Sequence, residues 1–220
     1  MHRPRITRTA DGSDTLYVPE IDEHYHSVYG AVSESEHIFV KNGFDFCKSN
    51  PVEIFEVGFG TGLNVFLTAI RNLSTGKEVR YTAIEKCPLP ESLTDSLNHK
   101  DFAIEGHREI ISRIHKCSWN SWQQVCNNFF LKKIKGDITT VSLSGNFDLV
   151  YFDAFGPDKQ PEIWSEDIFN RISEIVKENG ILVTYTVKGE IKRRLKRNRF
   201  SISLLPGPPG KRQMLRAVKF

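Results

Sequence analysis

No apolar run in the chain comes near the ~20 residues that a membrane-spanning helix needs, so no bilayer partner is expected. Its start, MHRPRITRTADGSD, has no apolar centre and does not read as a secretory leader. The four cysteines, Cys47, Cys87, Cys117 and Cys126, contain no C-x-x-C pair, which argues against a zinc knuckle or a redox motif. His24-x-His26 has no third ligand at metal-binding spacing, so no metal is expected either. Internal repeats and low-complexity linkers are also absent. What is left is one cytoplasmic globular domain with reduced thiols. Its 220 residues, 39% apolar and 26% charged, are enough to bury a full core.

Charge is present but unevenly placed. Net charge is +3, yet residues 188–220 hold eleven Lys or Arg against the single acid Glu190. Residues 1–187 hold 19 basic and 26 acidic residues. Clustered cations release counterions from a phosphate backbone, so this asymmetry suits a polyanion on one face; a merely solvated helix face is the alternative.

Periodicity divides the chain near residue 50. Residues 1–50 carry a turn signal, ADGSD, a short extended run, TLYV, and a polar aromatic stretch, which predicts an extension of hairpin and helix packed on the core. Residues 51–220 alternate strands and helices. VEIFEVG and VRYTAIE read as strands, and Leu63, Phe66, Leu67 and Ile70 lie on one helical face between them. Residues 86–130 read as irregular helix, with Trp119 and Trp122 in a local core. FDLVYFDAF is a near-continuous apolar run, as in a buried strand of a parallel sheet. A helical stripe from Trp164 to Val176 is expected to close at Asn179-Gly180. ILVTYTV, a basic helix GEIKRRLKRN, and two extended runs around PGPPGKRQ complete the chain. The predicted class is α/β, a Rossmann-like doubly wound sheet, mostly parallel with an antiparallel C-terminal edge.

The stretch IFEVGFGTGLNVF carries the first chemistry. Gly58, Gly60 and Gly62 form a strand-to-helix turn, but Leu63 stands where a dinucleotide fingerprint has its last glycine. That weakens NAD and favours S-adenosylmethionine, whose amino-acid part needs close backbone approach and carries no phosphate. Glu85 ends the second strand, where a carboxylate can accept two ribose hydroxyls. Glu56 precedes the turn, within reach of cofactor or substrate. Asp153 ends the FDLVYF strand at the same sheet edge, so it would face a methyl acceptor. If that acceptor is a primary amine, the neutral form must attack and positive charge grows on nitrogen, which a carboxylate stabilises. Asp153 therefore reads as orienter and electrostatic stabiliser.

Taken with these residues, several ordered segments resemble the MnmC/MnmD family of tRNA methyltransferases. They are DGSDTLY, EHYHSVYGAVSESEHIF, FEVGFGTGLN, YTAIEK, YFDAFGPDKQPEIW, GILVTYTVKG and LPGPPGKRQMLRA. The resemblance implies an S-adenosylmethionine-dependent methyltransferase fold and methylation of the amine of 5-aminomethyl(-2-thio)uridine at the tRNA wobble position. It implies that Gly58, Phe59, Gly60, Gly62 and Asn64 cradle the methionine side, Glu85 the ribose and Asp137 the adenine edge. Asp153 matches the family's acidic position after the strand. Tyr25, His26, Ser27 and Glu34 would close over the site. Phe155, Pro157 and the cations Arg193, Arg194, Arg197, Lys211 and Arg212 would meet the anticodon region of tRNA, and Tyr17, Tyr25 or Phe155 could stack on a base. Two-domain members add a flavin-dependent oxidase, for which a chain ending at Phe220 leaves no room; the expectation is a stand-alone methyltransferase without flavin. A small-molecule or protein amine as acceptor, and a non-catalytic binding module, stay open.

Overall fold

Register places the functional edge of the sheet. The computed structural model describes residues 4–103 and 105–220. Strands β1 (Arg5–Arg8), β2 (Asp14–Val18) and β3 (Glu23–His24) form a small antiparallel sheet. Helix α1 (Ala31–Ser35) continues without a break into wider π-type turns over Glu36–Phe44, where Asp45 N–H donates to the Val40 carbonyl at 2.9 Å. Then β4 (Val52–Val57), α2 (Leu63–Thr75) and β5 (Val79–Glu85) follow. Short helices α3 (Glu91–Thr94) and α4 (Glu109–Lys116) lead to β6 (Trp122–Cys126) and β7 (Phe129–Lys135). The chain ends with β8 (Phe147–Phe152), α5 (Glu166–Ile175), β9 (Val176–Thr184), α6 (Gly189–Arg197), β10 (Phe200–Pro206) and β11 (Gln213–Lys219).

The main sheet has eight strands in the order β10-β11-β9-β8-β4-β5-β7-β6. The five from β9 to β7 run parallel, and β6, β11 and β10 add antiparallel edges. Val57 pairs with Ile84 on one side and Phe152 on the other, so Gly58, Glu85 and Asp153 leave the sheet at one level. Strand order reverses between β4 and β8, the usual position for a ligand crevice.

Alternation along β8 builds two cores. Leu149 and Tyr151 join the cluster beneath α2 and the π turns, with Phe39 5.1 Å from Tyr151. Val150 and Phe152 join the cluster beneath α5 and α6, where Phe152 stacks on Phe169 at 5.2 Å. Ile38, Phe39, Val40 and Phe44 belong to the first cluster, so the N-terminal segment shares the core of the sheet. Ser165 caps α5 by accepting the Ile168 N–H, and Glu166 and Asp167 in its first turn suit the helix dipole.

Two stretches depart from the sequence pattern. Residues 122–135 form a β-hairpin turned at Asn127-Asn128, with Asn128 at φ 54°, rather than helix. FFLKKIK alternates as a strand should, but Lys133 occupies an inward position and masks the signal. Its ammonium is satisfied there by the C-terminal carbonyls of α4, Ile114 at 2.9 Å and His115 at 2.7 Å. Trp122 is exposed at 46%, while Trp119 packs on Phe59 at 5.8 Å. Second, α5 stops at Ile175, and Asn179-Gly180 make a bulge within β9 instead of a helix cap. Phe147 pairs with Val176 but Leu149 with Ile181, which accommodates Asn179 at φ 62°.

Candidate active site

The carboxyl ends of β4, β5, β7 and β8 surround a cavity of about 500 Å³. Its floor is the glycine turn, with Gly58 at φ 91°, Gly60 at φ 49° and Gly62 at φ 73°. Gly58 and Phe59 N–H both donate to the Ile84 carbonyl, at 3.1 and 3.2 Å, which bends the chain over the end of β5. A Cβ at Gly58 would lie 2.5 Å from the Asp153 carbonyl oxygen, so only glycine lets this turn meet the loop after β8. At Gly60 a Cβ would meet the Tyr25 ring at 3.1 Å.

Backbone contacts organise the cofactor end. One Glu85 oxygen accepts Gly60 N–H at 3.0 Å and the other accepts Cys87 N–H at 2.8 Å. Each oxygen keeps a lone pair, so the fixed carboxylate can still accept two hydroxyls. Asp137 pairs with Lys86 at 2.8 Å and accepts the Thr139 N–H and hydroxyl, which hold its carboxyl down at about 2. Lys86 is the single Lys or Arg among the described residues of the cavity wall, and Asp137 neutralises it. A pyrophosphate would find no counter-charge here. A nucleoside bearing a sulfonium and an amino acid fits the glycine cradle, the two carboxylates and the apolar walls.

The other end is assembled from side chains. Asn64 Nδ2 donates to Asp153 Oδ2 at 2.7 Å and to Glu56 Oε1 at 2.9 Å. Glu56 is fully buried behind Asn64 and does not line the cavity, so it supports the site without touching a ligand. Burial, with Asp153's charge adding to it, pushes its carboxyl well above the carboxylate range, and the Asn64 hydrogen bond opposes this. Glu56 Oε2 and Asn64 Oδ1 are buried without a hydrogen-bond partner among the described residues. Asp153 is surrounded by protein yet keeps part of its side chain on the cavity wall. Burial raises it to about 7; Glu34's charge pushes the same way, while Asn64 and Lys211 oppose.

The N-terminal segment roofs this end. Tyr25 stands edge-on to Phe155, with centroids 4.9 Å apart. His26 Nε2 lies 3.0 Å from the Thr61 hydroxyl, and the His26 backbone N–H donates to Thr15 Oγ1 at 3.0 Å. Burial pushes His26 down to about 3, so the ring is a neutral structural tie. Two residues not among the expected site residues hold the loop after β8. Tyr185 donates its hydroxyl to the Ala154 carbonyl at 2.8 Å, and Trp164 Nε1 donates to the Phe155 carbonyl at 2.7 Å.

Other expected site residues lie off the cavity wall. Pro157 is buried beyond it, and Tyr17 packs on His24 and donates to Asp22 at 2.9 Å. Arg197 grips Glu166, and Arg194 bonds the Trp164 carbonyl and pairs with Glu190 at 3.7 Å. Arg193 and Arg212 are exposed, whereas Lys211 turns inward to Glu34. Among the described residues no group of three metal-ligating side chains occurs, and no helix is long and apolar enough to cross a membrane.

Comparison with known proteins agrees with this geometry. A bifunctional protein MnmC of tRNA 5-methylaminomethyl-2-thiouridine biosynthesis from Campylobacter fetus is 29% identical over 96% of the chain and 35% of its own length. Its counterpart from Leptospira interrogans is 28% identical over 89% of the chain and 32% of its own length. The chain thus spans about a third of the curated relatives it matches. The crystal structure of MNMC2 from Aquifex aeolicus superposes with TM-score 0.80 at 27% identity, covering 100% of this chain and 71% of that one. Spermidine synthase from Thermotoga maritima shares the fold, at TM-score 0.55 and 10% identity over 100% of this chain and 79% of that one. A family described as S-adenosyl-L-methionine-dependent methyltransferase matches residues 99–220. With more than half its length so matched, and the cradle in place, the chain belongs to the S-adenosyl-L-methionine-dependent methyltransferase family, and S-adenosylmethionine is its cofactor.

Proposed function

We propose that the chain methylates the amine of 5-aminomethyl(-2-thio)uridine at the tRNA wobble position, giving the 5-methylaminomethyl form. The observation that carries this reading is Asp153, a carboxyl raised to about 7 on the cavity wall beside the glycine turn. The names of the relatives, which concern 5-methylaminomethyl-2-thiouridine in tRNA, point to the same amine.

Bound S-adenosylmethionine supplies a sulfonium methyl that is already activated, so the transfer itself calls for neither a flavin nor a metal. Gly58, Phe59, Gly60 and Asn64 would hold its methionine side, Glu85 its ribose and Asp137 its adenine edge. Gly62 lies off the cavity wall, its Cα turned towards Phe59 and His115, and shapes the turn from behind. Asp153 accepts an N–H of the entering amine and aims the nitrogen lone pair inward. A primary alkylamine keeps its proton to about pH 10, and an ordinary aspartate near 4 is a proton acceptor about 8 kcal/mol too weak. At about 7, Asp153 reduces that gap to about 4 kcal/mol, so it can share or take the proton as well as orient the amine. Where the proton passes to solvent instead, the ionised Asp153 carboxylate stabilises the positive charge that grows on nitrogen. Glu56, kept neutral by burial, adds no competing negative charge behind it.

Tyr25 and Phe155 exclude water and offer ring faces to an unstacked base. The exposed Arg193, Lys196, Arg199 and Arg212 would contact phosphates, with the reaction taking place in the cytoplasm. The test is transfer of labelled methyl to tRNA bearing 5-aminomethyluridine, with carboxymethylaminomethyl and unmodified tRNA as controls. Label only in the aminomethyl tRNA is the expected result. Measurable cofactor binding with no label in any tRNA would overturn the assignment and favour a small-molecule or protein amine.

A further inference from the structure

The lysine of the proline-glycine loop does not face solvent as a phosphate contact would. Lys211 Nζ lies 2.5 Å from Glu34 Oε1, and the Glu34 side chain is 8% exposed. The other Glu34 oxygen accepts the Ser27 N–H at 2.7 Å, directly after the Tyr25-His26 pair that roofs the cavity. The same ammonium sits 4.1 Å above the Tyr185 ring, whose hydroxyl holds the Ala154 carbonyl next to Asp153. Two further contacts close the seam between these segments. His37 Nε2 meets the Pro206 carbonyl at 2.8 Å, and the Tyr29 ring packs against Gly210 so closely that a Cβ there would lie 2.2 Å from it.

An ion pair with one partner buried and the other half-buried is a poor device for stability alone, because desolvation offsets much of the attraction and an apolar pair of similar volume often does as well. Its position here has a different use. The pair joins the N-terminal roof, the β10–β11 loop and the loop after β8, three segments far apart in sequence that must come together before the acceptor end exists. It also places one negative and one positive charge beside Asp153. We propose that Glu34 and Lys211 are a positioning pair that locks these segments around Asp153 and keeps their two charges balanced where the amine enters. The proposal rests on the reading of Asp153 as the group that meets the amine.

Balance matters because each partner alone would disturb the site. Unpaired, the Lys211 ammonium would repel an entering ammonium and the charge growing on nitrogen. Unpaired, Glu34 would make ionisation of Asp153 harder. The groups facing Asp153 are Asn64 and the neutral Glu56 from α2 and β4, Tyr81 from β5, Tyr185 beyond β9, Glu34 from α1 and Lys211. Among these, Glu34 raises Asp153 and Lys211 lowers it.

The test is to titrate the Asp153 carboxyl by carbon NMR in the full chain, with cofactor affinity measured alongside. Lys211→Met is expected to move the Asp153 midpoint up by about half a pH unit or more, and Glu34→Gln to move it down by a similar amount. The double variant should return towards wild type, and Lys211→Arg should stay there. In turnover, the acid limb of kcat/KM should move in the same opposite directions. Single variants that shift the midpoint the same way, or leave it in place, would overturn the proposal, since a merely structural pair predicts no opposition. Should Lys211→Met not fold, the near-isosteric Glu34→Gln decides alone: a downward shift supports the pair, and none refutes it. The titration needs no RNA. Opposite shifts without methylation of any tRNA would leave the pair standing and sink the substrate assignment instead.

Discussion

The two ends of the cavity are built differently. At the cofactor end, Gly58 to Gly62, Glu85 and Asp137 are fixed mainly by the backbone and by neighbours within a few residues of the strand ends that carry them. At the acceptor end, Asp153 depends on side chains from distant segments: Asn64 directly, Tyr185 through Ala154, and the Glu34–Lys211 pair across 177 positions of chain. A cradle of backbone groups tolerates loss of a neighbouring side chain. A constellation of side chains does not, and this makes the two ends separable by mutation.

Gly58 is where that separation should fail, because its missing Cβ is what lets the turn touch the Asp153 carbonyl. Gly58→Ala combines a 2.5 Å clash with a left-handed φ of 91°, so both ends should break together. Calorimetry should show cofactor affinity lower by about 100-fold or more, and transfer should be lost. Glu85→Ala should damage the cofactor end alone. Losing charge-assisted hydrogen bonds of about 1.5–3 kcal/mol weakens cofactor binding by about 10- to 100-fold, with turnover at saturating cofactor close to normal. A fall in saturated turnover of similar size would show that the ends are coupled through the turn.

Asp153→Asn sharpens the contrast through stability. The folded chain holds that proton up to about 7, while an unfolded aspartate releases it near 4. The folded state therefore binds more protons between these values, and stability falls as pH rises through the window. Removing the charge should raise Tm by a few degrees at pH 8 and have no effect near pH 3.5. An equal change at both values would show that Asp153 ionises normally. The smallest effect is expected on the basic helix. Arg194 and Arg197 are already engaged by Glu166, so neutralising Arg193, Arg194 and Arg197 together should flatten the salt dependence of tRNA binding by about one unit of slope rather than about three.

The same division explains what could be read from sequence. β4, β5 and β8 stand out because their apolar runs end in Gly58, Glu85 and Asp153, and register then brings those ends level. Local signals suffice for local structure. The β6–β7 hairpin was obscured because Lys133 sits at an inward strand position, satisfied only once α4 arrives to offer its carbonyls. Glu56 looks like a ligand in sequence, but strand alternation turns it under α2, where Asn64 covers it. Lys211 and Arg194 look like surface cations until the fold brings Glu34 and Glu166 beside them. Tyr185 has the pattern of any strand-end aromatic, and only its contact with Ala154 gives it a role. Pairings between distant segments leave no trace in spacing.

The most direct measurement is made on Asp153→Ala: cofactor affinity by calorimetry together with single-turnover methyl transfer to aminomethyl tRNA. The expected result is affinity within about 2-fold of wild type and transfer slower by about 10³-fold, as for removal of one preorganised electrostatic group. Affinity falling in step with transfer would contradict the separation of the two ends and place Asp153 with the cofactor instead.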